Sequence, residues 1–229
     1  MRVDGLLFDK DGTLFDFGAT WNTWAARMIP EMAEGDSDLA ERIAQELDYD
    51  LARQTFLPHS AIIAGTNRDA AEAVARAMPH REVAELETTL MHAASTAPLM
   101  EAVPLAPFLD GLSQHGLRLG VMTNDTEFAA RAHLGSVGVD GHFDLILGFD
   151  SGFGAKPDPG PLLAFSDRFG LAPERVAMVG DSTHDLIAGH RAGMQTIAVL
   201  TGMATEAELA PYADVVFPNI GHIPGWLAT

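Results

Sequence analysis

The sequence predicts a doubly wound α/β fold: a mainly parallel sheet with helices on both faces, carrying an all-helical insert. Three observations predict it. Short apolar runs recur at Val3 to Phe8, Leu117 to Met122, Phe143 to Leu147, Val176 to Val179, Thr196 to Leu200 and Val215 to Phe217, each reading as a buried strand. Helical patterns at about 104–115, 126–134, 160–169, 184–192 and 203–209 separate the later runs, and strands alternating with helices build parallel sheets through crossover connections. Residues 17–98 break the alternation and hold no convincing strand.

Within that interrupting stretch, Trp21, Trp24, Ala25, Met28, Ile29 and Met32 share one helical face. Ala70, Ala71, Val74, Ala75 and Met78 do the same, as do Val83, Leu86, Leu90 and Met91. The Trp and Met stripe reads first as core packing, with the lining of a ligand cavity as the alternative. The expected organisation is a core of residues 1–16 and 99–229 and a helical insert of residues 17–98.

Composition excludes several classes of function. The chain has no cysteine, which removes disulfides, thiolate nucleophiles and Cys-based zinc sites. A formal net charge of −18 disfavours nucleic acid as a partner. It also means that a phosphate ligand would need local cations to be held. No apolar run reaches the ~20 residues of a membrane span. The N-terminus passes directly into a short apolar run ending at Asp9, without the long apolar region and cleavage site of a signal peptide. The expectation is an unprocessed, cytoplasmic chain that binds neither nucleic acid nor membrane. Of the 14 basic residues only Lys10 and Lys156 are lysines.

The polar motifs all follow predicted strands, the edge of an open parallel sheet where ligands bind. Asp9-Lys10-Asp11-Gly12-Thr13 closes the first run. In extended backbone Asp9 and Asp11 face one side and Lys10 the other, so two adjacent carboxylates ask for a metal ion or a shared proton. A strand ending in a plain Asp-Gly turn is the alternative. Thr123-Asn124-Asp125 follows the second run, where a hydroxyl and backbone N–H groups can bind a phosphate. Asn124 followed by Glu127 also reads as a variant capping box, the stronger reading of that segment alone. Lys156 stands in the Gly/Pro-rich loop Gly154-Ala155-Lys156-Pro157, and a compact ammonium suits pairing with a phosphate oxygen and a carboxylate together. Asp158 and Pro159 read as the start of the next helix. Gly180-Asp181-Ser182-Thr183-His184-Asp185 places two acids about one helical turn apart, able to share a hard cation. Asp185 doubles as a favourable first-turn acid, and helical phase turns His184 toward solvent.

In this order, Asp-x-Asp-Gly-Thr, a strand-end hydroxyl, an isolated lysine and Gly-Asp-x-x-x-Asp resemble the four motifs of the haloacid dehalogenase superfamily of phosphohydrolases. The closest flavour is the phosphoglycolate-phosphatase-like branch. The likeness spans nearly the whole chain, and residues 17–98 resemble the superfamily's cap. The resemblance implies a Rossmann-like core and a phosphatase that forms an aspartyl-phosphate. It implies Asp9 as nucleophile, Asp11 as general acid/base, and Thr123 and Lys156 holding the phosphoryl group with Asn124 beside them. It also implies Mg²⁺ bound by Asp9, the backbone carbonyl of Asp11, and Asp181, with Asp185 as a further acidic ligand or an outer-shell one.

The implied substrate is a small phosphorylated metabolite, phosphoglycolate-like or a sugar phosphate. Asp11 argues against dehalogenation, which needs no proton donor for its leaving group. The insert holds no lysine, which closes the Schiff-base route of phosphonate-cleaving members. A sugar phosphomutase remains an alternative, gripping a second phosphate with an insert arginine, Arg68 first among them because Ala64-Gly65-Thr66-Asn67 reads as a loop facing the core. A non-catalytic phospho-aspartate signalling module is the alternative of another class. Lys10 departs from the apolar residue commoner between the two aspartates, and alternation points it away from the site, toward an acid behind the strand. Oligomeric state is not legible in the sequence.

Overall fold

A computed structural model describes residues 2–228 of the chain. In chain order its strands are β1 (Gly5–Phe8), β2 (Tyr49–Asp50), β3 (Thr55–Phe56), β4 (Arg118–Met122), β5 (Leu145–Leu147), β6 (Val176–Gly180), β7 (Gln195–Val199) and β8 (Val215–Phe217). Its α-helices are α1 (Thr23–Ala33), α2 (Ser37–Glu46), α3 (Asn67–Ala77), α4 (Val83–Ala94), α5 (Leu105–Ser113), α6 (Glu127–Ser136), α7 (Gly160–Phe169), α8 (Thr183–Ala192), α9 (Glu206–Leu209) and α10 (Ile223–Leu227).

Six strands form one parallel sheet in the order β5-β4-β1-β6-β7-β8. β1 is flanked on both sides, with Phe8 in register with Val121 of β4 and Val179 of β6. A strand paired on both edges and covered on both faces must be apolar throughout, and all of Gly5–Phe8 is buried. Side chains alternate. Leu6 and Phe8 join a core with Leu105, Leu109 and Leu112 of α5, while Leu7 turns to the other face with Met178, Leu162 and Phe165. From β1 the chain builds outward to β4 and β5, then crosses back to β6. The carboxyl ends of β4, β1 and β6 therefore meet where the order reverses, the ligand crevice of such sheets.

The insert has its own buried cluster, in which Trp24, Ala25, Met28 and Ile29 of α1 pack with Ile43, Val74, Leu86 and Leu90. It departs from the expected all-helical build in one detail: β2 and β3 form an antiparallel pair of two residues each. The Asp50 side chain accepts the N–H groups of Ala52 and Arg53 at 2.9 Å, closing a turn too tight to leave any alternating pattern. Helix α2 has no counterpart among the predicted helices. Its stretch is polar apart from a few residues, and its start is held by Asp36, which accepts the Leu39 N–H at 3.0 Å.

Candidate active site

Asp9, the first residue beyond β1, is buried, and its N–H is anchored on Val179 of the neighbouring strand at 2.8 Å. Asp181 stands just beyond β6, and Asp185 lies in the first turn of α8. Oxygens from Asp9, Asp181 and Asp185 all lie within 4.8 Å of one another, and all three side chains are buried. Lys156 reaches into this cluster and donates to Asp9 at 2.6 Å and to Asp185 at 2.5 Å. The other oxygen of Asp185 accepts from Ser182 Oγ at 2.6 Å and from its N–H at 3.0 Å, so this acid serves as cap and cluster member together.

One ammonium among three buried carboxylates leaves excess negative charge. Burial pushes Asp9 up to about 7, with Asp185 and Asp11 adding to the shift and Lys156 opposing it. Burial, then Asp9 and Asp185, hold Asp181 well above the usual carboxylate range. Burial disfavours the Lys156 ammonium, but Asp185 and Asp9 outweigh it and raise its pKa. Hard carboxylate oxygens this close, short of positive charge, suit a divalent cation.

Backbone has to pass unusually near Asp181. Gly12 sits at a φ of 81°, and a Cβ there or on Gly202 would overlap the Asp181 carboxylate. The hydroxyl of Thr13 donates to Asp181 at 3.3 Å, and that of Thr201 to the Gly12 carbonyl at 2.6 Å. Neither Thr201 nor Gly202 was singled out from the sequence. They arrive through the loop after β7, and only the sheet order brings that loop beside the Asp-Gly turn.

Lys10 corrects an expectation. It does not point behind the strand to an unrelated acid. Its buried ammonium lies 2.9 and 2.7 Å from the two oxygens of Asp11, 3.2 Å from Asp125 and 2.9 Å from His133 Nδ1. It also sits over the Trp21 ring, 5.5 Å from the centroid. Strand alternation fails because β1 ends at Phe8 and Lys10 already lies in the turn. Asp11 and Asp125 hold the Lys10 ammonium above its usual pKa against the opposing effect of burial. His133 gives its Nε2 to the Ala94 carbonyl at 2.7 Å, and burial, with Lys10 adding, pushes it down to about 4.

Thr123 is buried at the end of β4, and its Oγ accepts the Asp125 N–H at 3.1 Å, leaving its hydroxyl proton free to donate. Asn124, expected from the sequence as a phosphate neighbour or a helix cap, lines the cavity beside Thr123 and Lys156 but does not cap α6. Its amide clamps both backbone groups of Lys156 and reaches the Ala64 carbonyl of the insert, each at 2.9 Å. The cap of α6 is Thr126, which accepts from Ala129 at 3.1 Å. The reading of α7 shifts similarly: Pro159 stands at its cap and Gly160 opens it.

Arg68 is also corrected. It is exposed, held by Glu72 at 3.1 Å and Glu87 at 3.2 Å, and does not line the cavity. The loop Ala64-Gly65-Thr66-Asn67 before it does line the cavity. So does His184, against the expectation that it faces solvent.

That cavity has about 760 Å³ of unoccupied space, counting its open mouth. Its floor is Asp9, Asp11, Thr123, Asp125, Lys156 and Asp181, and its roof comes from the insert, with Phe17, Trp21, Trp24 and Phe56 among the residues. Trp21 and Trp24 pack edge to face with centroids 5.2 Å apart, so the tryptophan stripe serves core and cavity together.

Fold and site define the class: an open α/β protein with a carboxylate–lysine cluster at its topological switch point, roofed by an inserted segment. The chain belongs to the haloacid dehalogenase-like hydrolase family, whose model matches residues 6–199. It is 29% identical over 224 residues to a phosphoglycolate phosphatase of Rhodospirillum rubrum, covering 97% of this chain and 90% of that one. A phosphoglycolate phosphatase of Aquifex aeolicus is 30% identical over 210 residues, covering 88% and 86%. A solved structure from Bacteroides fragilis, described as haloacid dehalogenase-like, superposes with a TM-score of 0.74 at 23% identity over 97% of this chain and all (100%) of that one; this likeness carries the fold alone. Among the described residues no helix is long and apolar enough to cross a membrane.

Proposed function

We propose that this hydrolase is a phosphatase that releases inorganic phosphate from a small phosphorylated metabolite through an aspartyl-phosphate on Asp9, with residues 17–98 acting as the cap over a core of 1–16 and 99–229. The observation that carries the proposal is the contact of Lys156 with Asp9 at 2.6 Å inside a cluster of three buried carboxylates. The relatives named phosphoglycolate phosphatase support the same reaction type.

An Asp9 oxygen attacks phosphorus in line, and the P–O bond to the leaving alcohol breaks as Asp11 protonates that oxygen. Asp11 turns from its resting partner Lys10 to do so. It then takes a proton from the water that attacks the aspartyl-phosphate, freeing Asp9 and phosphate. Lys156 neutralises the phosphoryl oxygens while holding Asp9 in line, and Thr123 donates to them from the end of β4. Mg²⁺, held by Asp9, Asp181, Asp185 and the Asp11 backbone carbonyl, would supply the positive charge that one lysine cannot.

Asp9→Asn should abolish Mg²⁺-dependent phosphate release from a generic aryl phosphate. Turnover that survives this change, or that persists in strong chelator, contradicts the scheme. A long-lived phosphorylated Asp9 without released phosphate would favour the signalling alternative. The phosphomutase alternative loses its proposed second-phosphate grip with the outward placement of Arg68.

A further inference from the structure

The floor of the cavity is charged, but its roof is not. Phe17, Trp21, Trp24, Phe56, Ile62 and Ile63 face it from the insert, and among the described residues no arginine lines it. Arg68, Arg76 and Arg81 are each committed to glutamates on the insert's outer surface, and Arg53 lies near Asp50. Of the polar side-chain groups of the roof, Thr66 and Asn67 are committed within the insert, and the buried indole N–H of Trp24 has no hydrogen-bond partner among the described residues. Thr66 caps α3 through Asp69, and Asn67 donates to the Glu87 carbonyl at 2.9 Å. Below, Asp9 and Asp181 face the ammonium of Lys156, which is already paired with Asp9 and Asp185, while Asp11 and Asp125 share the ammonium of Lys10.

We infer that the leaving alcohol of the substrate is uncharged and apolar, preferably aromatic, so that phosphoglycolate and esters bearing a second phosphate are poor substrates for this chain. The inference rests on the phosphatase reading and narrows it. A carboxylate or second phosphate carried into the roof would lose its hydration and find no cation, with acids beneath it. A flat hydrocarbon group would instead exchange water for aromatic walls.

The test uses the full chain with Mg²⁺ and compares benzyl phosphate with phosphoglycolate, two alkyl esters whose leaving oxygens are similarly basic. kcat/KM is expected to favour benzyl phosphate by about tenfold or more. Ile62→Arg, which sets a cation in the half-buried roof, is expected to shift that ratio toward phosphoglycolate by about tenfold. Inhibition of aryl phosphate turnover by benzylphosphonate and by phosphonoacetate reads the same preference in binding and needs no variant. Equal or better turnover of phosphoglycolate by the unaltered chain, or tighter inhibition by phosphonoacetate, overturns the inference and leaves the phosphatase reading standing. Phosphate release from neither alkyl ester nor an aryl phosphate removes that reading, and this inference with it.

Discussion

Both carboxylate oxygens of Asp11 face the ammonium of Lys10, at 2.9 and 2.7 Å, and that lysine is wholly buried. A second acid, Asp125, shares the same cation at 3.2 Å. Lys10→Met keeps the volume but strands two carboxylates and the Nδ1 of His133. Breaking a buried pair by removing one partner costs about 3–5 kcal/mol, and a loss of that size is expected in urea unfolding. Unchanged stability would mean that water takes over the role of the ammonium.

Asn124→Ala removes three hydrogen bonds, two that fix the Lys156 backbone and one that ties in Ala64 of the insert. The lysine should then lose its aim at Asp9. Small misplacements of this kind cost up to about a hundredfold in rate, so kcat is expected to fall well beyond any loss of stability. A KM effect alone, with kcat intact, would assign Asn124 to the insert contact only.

Gly12→Ala combines two penalties at one atom. The left-handed backbone costs an L-residue roughly 1–2 kcal/mol, and the new methyl overlaps the Asp181 carboxylate. If Asp181 holds the proposed Mg²⁺, displacing its carboxylate should raise the Mg²⁺ concentration for half-maximal rate by about tenfold to a hundredfold. A metal titration of initial rates checks this, and an unshifted midpoint would remove Asp181 from the metal set.

His133 makes stability depend on pH. Its pKa falls from 6.5 to about 4 on folding, because burial, and then Lys10, oppose the imidazolium. Above pH 6.5 the imidazole is neutral in both states. As pH falls through the window toward 4, the unfolded chain binds a proton that the folded chain refuses. Stability therefore drops with acid, by about 3 kcal/mol in all at 1.4 kcal/mol per unit. His133→Gln should flatten the dependence relative to the parent chain in unfolding curves from pH 7 to 4. Parallel dependences would place its origin elsewhere.

The strands of the core were legible because a parallel strand buried on both faces reads as an unbroken apolar run. Val215–Phe217 is placed residue for residue, whereas Val3 was assigned too early because Val3 and Asp4 lead into β1. Asp9, Lys156, Asp181 and Asp185 could be grouped because each follows a strand whose carboxyl end must open on the same edge. Directions of side chains were harder to read. Lys10 was aimed by a rule that holds only inside extended backbone. Arg68 was grouped with a cavity-lining loop, but it already belongs to α3, where Glu72 stands one turn away. Asn124 had local cues for a cap, and no local pattern shows that its partners lie at Ala64 and Lys156.

The insert leaves the core and returns to it at adjoining points. Asp16 donates to the Met100 carbonyl at 2.8 Å, Ala102 to that of Leu14 at 2.9 Å, and Phe15 bridges to Glu101. A segment whose two ends meet like the foot of a loop can lengthen, shorten or change its lining without moving β1, β4 or β6. Selection acting on the roof is thereby separated from selection acting on the acids below, so a lineage can trade one metabolite for another while its reaction stays unaltered.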